Sequence, residues 1–253
     1  IMPSLVGSEM CIRDSLKGIL MVYNNPPFAI ISLKKSGVIK PKDLEGRILG
    51  APAPDGAYAQ WQAFVAANNI KAKQVTIENV GFPVREPMLA AGEVDAITGF
   101  SFSSFLNLKS KGVKEEDINV MLMSDYGLKL YGNTVIVNPD FAAENPQLVK
   151  GFVRAIIRGW MDTIADPNSA IDHLMERNKI ARRNVELERL EMAIRDNVIT
   201  AEVKERGFGD VEGKRLSESI NQVGLTYDFS SKPTAASVFT SEYLPTMSQR
   251  KVN

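Results

Sequence analysis

Apolar positions along the chain fall into two regimes. Up to about Asn138 they form short runs of strand length: Gly18–Asn24, Phe28–Lys34, Arg47–Ala51, Gln74–Val80, Val94–Thr98, Ile118–Ser124 and Tyr131–Asn138. The first two are split by Asn24-Asn25-Pro26-Pro27, and helical stretches separate several of the others. Ala57–Asn68 carries Trp61, Phe64 and Val65 at the i, i+3, i+4 spacing of a core-facing stripe. A short helix runs through Leu89 and ends at Gly92, a C′ glycine, and Ser101–Lys111 predicts another. Strands alternating with short helices predict a mainly parallel sheet covered on both faces. After Pro139 the period changes to that of helices. Asn145-Pro146 predicts an N-cap and first turn, and Leu148, Val149, Phe152, Val153, Ile156, Ile157, Trp160, Met161 and Ile164 fall on one broad stripe. Asp166-Pro167 breaks that helix; a shorter one to Arg177, then Val185–Val198, Ala201–Arg206 and Val211–Leu225 follow, the last two capped by Thr200 and Asp210.

The stretch Arg47–Trp61 organises the first half. A buried strand enters a turn of Pro52-Ala53-Pro54-Asp55-Gly56, and a helix leaves it from Ala57. Asp55 is placed to cap the amides of Ala57 or Tyr58, and Gly56 admits close approach to the backbone. A strand that delivers a helix N-terminus to a sheet edge suits an acceptor or anionic ligand, so Pro54, Asp55, Gly56, Ala57 and Tyr58 are candidate binding residues. An ordinary βα turn has the same residues. Two further strand ends carry candidates: Arg85 after Gly81, and Phe100, Ser101 and Ser103 after Gly99. Arg85 either meets an anionic ligand or pairs with Glu86 or another carboxylate. Tyr126, beside Asp125 and Gly127, either contacts ligand or packs half-buried.

Composition narrows the classes. Thirty basic and thirty acidic residues leave no imbalance that would point to nucleic acid, and no apolar run reaches the length of a bilayer span. Ser4–Ser15 resembles the translation of sequencing-adapter read-through, so residues 1–15 are expected to be non-native. The one cysteine, Cys11, lies in that segment, which leaves no disulfide, thiolate metal site or cysteine nucleophile beyond it. The one histidine, His173, sits mid-helix, far from any candidate turn. The usual nucleophile–base pairs, zinc sites and phosphate-loop or dinucleotide fingerprints are lacking. Neither catalytic residues, a metal nor a cofactor is expected.

Pro41-Lys42-Asp43-Leu44-Glu45-Gly46-Arg47, then Arg85–Gly99 with Leu89-Ala90-Ala91-Gly92-Glu93-Val94-Asp95-Ala96-Ile97, then Glu188-Arg189-Leu190 and Asp196-Asn197-Val198-Ile199-Thr200 carry a resemblance. They are similar to the periplasmic substrate-binding proteins of nitrate, sulfonate, taurine and thiamine-precursor ABC importers. The resemblance implies an α/β, two-lobed, type II periplasmic-binding-protein-like fold with a solute gripped between lobes. It places residues 36–133 in the second lobe and residues 16–35 and 134–253 in an incomplete first lobe, its hinge and C-terminal helices. It further implies a periplasmic solute carrier, monomeric when complete, that hands its solute to a membrane permease and binds no nucleic acid. Relatives that bind thiamine pyrimidine precursors look as if they use a glutamate at the start of the helix after the Val-Asp-Ala strand. Thr98–Leu108 has no acidic residue, which favours a small anion or polar organic acid. Two alternatives remain: a pyrimidine-precursor binder or related synthase-like enzyme, and the effector domain of a transcription regulator.

Overall fold

The structure is a computed structural model that describes residues 16–252, so the reading of residues 1–15 lies outside it. The chain forms two compact units. Unit 2 holds Pro26–Leu130 and Asn221–Asp228, and unit 1 holds the remainder.

Unit 2 is built on a five-stranded sheet of β2 (Phe28–Leu33), β3 (Ile48–Gly50), β4 (Thr76–Glu78), β5 (Ala96–Phe100) and β6 (Ile118–Leu122), in the order β4-β3-β5-β2-β6. β3 runs parallel to β4 and β5, whereas β2 is antiparallel to both β5 and β6. Four strands therefore point one way and β2 runs against them. The sheet is mixed rather than simply parallel, because β2 enters between β5 and β6 from the opposite end. β2, which the sequence reading grouped with the first lobe, is thus an interior strand of this sheet. Its burial fits that place: Ala29 to Leu33 are all buried.

Helices α1 (Trp61–Asn68), α2 (Phe82–Ala91) and α3 (Ser101–Ser110) follow β3, β4 and β5. Trp61 and Phe64 enter a core with Ile30, Leu49 and Met121, and Val65 packs at its edge, as the i, i+3, i+4 stripe requires. The first turn ahead of α1, Tyr58–Gln60, is 3₁₀ rather than α-helical. Gly92 ends α2 in the left-handed region, φ 81°, which its lack of a Cβ makes inexpensive.

In unit 1, β1 (Lys17–Met21) pairs antiparallel with β7 (Thr134–Val137). Helices α4 (Pro139–Glu144), α5 (Pro146–Ala165), α6 (Pro167–Arg177), α7 (Arg183–Ala193), α8 (Ala201–Arg206), α9 (Gly213–Val223, whose last three residues belong to unit 2) and α10 (Ala235–Val238) account for most of the rest. Val149, Val153 and Ile157 of α5 are buried against Ile19, Leu20 and Phe208. Leu148 and Phe152 are 61% and 55% exposed, so the stripe is buried along one edge only. Of three expected caps, two differ. Thr200 accepts from Val203 N as expected, but Asn145 donates its amide to the Phe141 carbonyl instead of capping α5. Glu212, not Asp210, accepts the first-turn amides of Lys214 and Arg215 in α9. α7 passes into a π-helical turn, Ile194–Val198. His173 is exposed on α6.

Candidate functional site

The carboxyl ends of β3, β4, β5 and β6 share one edge of the unit 2 sheet, where β2 begins. Open α/β sheets present ligands at this edge. The loop after β3 brings Asp55 there, and its Oδ1 accepts from the Ala57 amide at 3.2 Å. Asp55 O takes the Ala59 amide and Ala57 O the Gln60 amide. Asp55 is thus the cap the sequence predicts, and among the described residues only the Gly56 and Tyr58 amides of this turn have no acceptor. Pro54 is exposed at its tip. The group that approaches Gly56 is a ring: a Cβ there would lie 3.3 Å from Phe28 Cε1 and 3.9 Å from Phe100 Cε1.

Arg85, on the first turns of α2, is 7% exposed and held between two carboxylates. Its Nη2 donates to Glu86 Oε1 at 2.7 Å, its Nε to the same oxygen at 3.1 Å, and its Nη1 lies 3.6 Å from Asp55 Oδ2. The guanidinium therefore serves Glu86 and Asp55, the second of the two roles open to it in the sequence. Thr98 Oγ1 of β5 donates to Asp55 Oδ2 at 2.6 Å, and Ser104 Oγ of α3 donates to Glu86 Oε1 at 2.8 Å. Arg85 Nη2 also donates to Ser104 Oγ at 3.1 Å. Gly99 makes this assembly possible, since a Cβ at that position would fall 2.4 Å from Ser104 Oγ and 3.2 Å from Arg85 Cζ. Two buried carboxylates meet one buried cation, a formal net charge of −1.

Aromatic rings lie against this group. Phe28 and Phe100 stand 5.8 Å apart at 46°, Phe100 and Phe102 6.3 Å apart edge to face, and Arg85 Cζ sits 5.5 Å over the exposed Phe82 ring. Phe100 is 38% exposed. Ser101, the first residue of α3, is buried, and its hydroxyl has no partner among the described residues. Ser103, two residues along, is half-buried. Tyr126, on the turn after β6, offers its carbonyl to Asn68 Nδ2 at 2.9 Å, at the far end of α1. No hydrogen bond among the described residues ties it to the Arg85 group.

Phe28, Glu86 and Thr98 complete the group but were not among the residues singled out as binding. Thr98 had a signal: it is a polar residue inside an apolar run, and buried polar side chains need partners. Phe28 had none, because only the pairing of β2 with β5 sets its ring beside Phe100. Among the described residues no cluster of histidine, cysteine, aspartate and glutamate is arranged to hold a metal, and no helix is long and apolar enough to cross a membrane.

A mixed sheet in one unit, a strand pair with a helical shell in the other, and residues gathered at the strand ends define an α/β fold of the periplasmic-binding-protein class. Solved structures agree on that fold. The periplasmic aliphatic sulphonate binding protein SsuA from Escherichia coli matches with a TM-score of 0.65 at 12% identity, over 93% of this chain and 77% of its own. A sulfonate-binding SsuA from Methylobacillus flagellatus gives 0.64 at 15% identity, over 91% and 68%. The family described as NMT1/THI5 like matches residues 14–170, and the chain belongs to that family. Its relatives include a riboflavin-binding protein, RibY, from Chloroflexus aurantiacus, 26% identical over 91% of this chain and 65% of that protein. A formylaminopyrimidine-binding protein from Halalkalibacterium halodurans is 25% identical over 61% of this chain and 46% of that protein. The chain thus spans less than two thirds of the length of these two curated relatives.

Proposed function

We propose that this chain is the recognition part of an extracytoplasmic solute-binding protein that delivers a planar nitrogen heterocycle to an ABC importer. It binds without turnover, works as a monomer with a membrane permease, and needs neither cofactor nor nucleic acid. The carrying observation is the charge balance at the unit 2 sheet edge: Arg85 is already paired with both Glu86 and Asp55. An added anion would meet excess negative charge and no free guanidinium, whereas ring N–H and amino groups find acceptors. The exposed Phe100 ring offers a face to a flat solute, and the open Gly56 and Tyr58 amides suit its carbonyl or ring-nitrogen acceptors. The small anion expected from the sequence rested on the lack of a carboxylate in Thr98–Leu108. Asp55 and Glu86 supply that charge from other elements, within hydrogen-bonding distance of Thr98 and Ser104. The names of the two curated relatives, one for a flavin and one for an aminopyrimidine, support the same class.

The test is a titration of the chain with riboflavin, followed by flavin fluorescence, and with aminopyrimidines, taurine and ethanesulfonate by calorimetry. A heterocycle should bind saturably and be recovered unchanged, and Phe100→Ala should weaken it about threefold to tenfold through the lost ring contact. Binding of a sulfonate in preference to every heterocycle, or formation of product, would overturn the reading.

A further inference from the structure

The Asn24-Asn25-Pro26-Pro27 run takes no part in the Arg85 group, yet its asparagines are held on every side. The chain leaves unit 1 between Asn25 and Pro26, returns between Leu130 and Tyr131, and leaves again within α9, between Ile220 and Asn221. Asn25, the last residue before the first crossing, donates its N–H to Asn197 O at 3.0 Å and accepts Asn197 Nδ2 on its carbonyl at 3.2 Å. Asn197 lies in the π-helical turn, a local departure from α-helix that often marks a functional position. Arg215 of α9 completes the grip. Its Nη2 donates to Asn24 O and Asn25 Oδ1, each at 2.8 Å, and its Nη1 to Asn24 Oδ1 at 2.8 Å and Glu202 Oε2 at 3.0 Å. The same guanidinium stacks 4.1 Å from the ring centre of Tyr131, the first residue after the second crossing.

Seven residues further along α9, Gln222 does the corresponding work in unit 2. Its Oε1 accepts from the Lys129 amide at 2.7 Å and its Nε2 donates to Gly127 O at 2.9 Å, just before the second crossing. Positions i and i+7 fall on one face of an α-helix. One helix face therefore carries both grips. The prolines after Asn25 add stiffness of their own, since each fixes its φ.

We propose that Arg215 and Gln222 of α9 are positioning residues, Arg215 fixing the chain at Asn24 and Asn25 within unit 1 and Gln222 fixing it at Gly127 and Lys129 within unit 2. This does not rest on the identity of the solute, and it is measured without one. Amide hydrogen exchange of the 253-residue chain provides the readout. Gln222→Ala should speed exchange at Lys129 at least tenfold while Ile30 and Ile97, in the central ladder of unit 2, change less than twofold. Gln222→Glu keeps an acceptor and should restore protection of Lys129. Arg215→Lys keeps a positive charge near Glu202 but loses the two-armed grip, and should speed exchange at Asn25 in the same selective way. Unchanged rates at Lys129 and Asn25 in these variants would overturn the proposal. So would a uniform acceleration of every amide, the ladder included, which would report only lost stability.

Discussion

Gly99→Ala adds a single methyl group at the most crowded point of the unit 2 site. The backbone there tolerates alanine, since Gly99 is not among the glycines with positive φ. The cost comes from packing. The new Cβ would lie 2.4 Å from Ser104 Oγ, 3.2 Å from Arg85 Cζ and 3.3 Å from Arg85 Nη1. Ser104 cannot simply rotate away, because its hydroxyl donates to Glu86 and accepts from Arg85. Overpacking a well-filled interior costs about 1–3 kcal/mol, and losing a hydrogen bond to a charged group about 1.5–3 kcal/mol. The expected loss is about 2–5 kcal/mol, and at about 2–4 °C per kcal/mol for a chain of this size the midpoint should fall by about 4–20 °C. Urea and thermal denaturation measure it. Gly151→Ala is the control: no atom lies within 4 Å of its added Cβ, and alanine in place of glycine within α5 should stabilise by about 0.5–1 kcal/mol. The clash also predicts coupling. In the Gly99→Ala background, Ser104→Ala should cost at least about 1 kcal/mol less than in the parent, because it removes the atom that the new methyl meets. A Gly99→Ala protein that melts within a degree or two of the parent, with additive behaviour in the cycle, would refute the account of this site.

Tyr131 sets an alkaline limit: burial and the hydrogen bond to Glu202 raise its phenol pKa above the ordinary value of 10.0. A raised folded-state pKa contributes stability that is intact below the unfolded pKa and is lost as pH climbs toward the folded one, so the urea midpoint should decline from about pH 10 upward. Tyr131→Phe should flatten that decline while lowering stability near neutrality by about 1 kcal/mol through the lost bonds to Glu202 and the Glu212 amide. The exposed apolar residues Leu148 and Phe152 line a cavity of about 320 Å³ with Ile136, Phe141 and Val149. Leu148→Gln with Phe152→Gln should change stability by no more than about 0.5 kcal/mol each, yet reduce hydrophobic-dye binding and light scattering. A loss of several kcal/mol would mean that these side chains are buried in solution.

What the sequence determined by itself is whatever depends on neighbours along the chain. The strand-length apolar runs became β1 to β7 within a few residues, since side-chain alternation and turn residues act locally. The cap at Asp55, the glycine stop at Gly92 and the break at Asp166-Pro167 were legible for the same reason: each is a contact between residues two to four apart. The NMT1/THI5-like match agrees with the family resemblance carried by Leu89–Ile97. Tertiary structure decided what joins residues far apart. Nothing in Phe28–Leu33 says that this strand runs against its neighbours, because an apolar run reads the same in either direction. Arg85 could equally have faced a ligand or a carboxylate, and the choice fell to Asp55, thirty residues earlier, carried to the same sheet edge by β3. The exposed edge of the α5 stripe was likewise invisible, because periodicity says which face is apolar and not how much of it a neighbour covers. Arg215 and Asn24 are 191 positions apart, and no local pattern could bring them together. Local energies specify elements; the few long-range polar contacts that specify a site depend on how those elements pack.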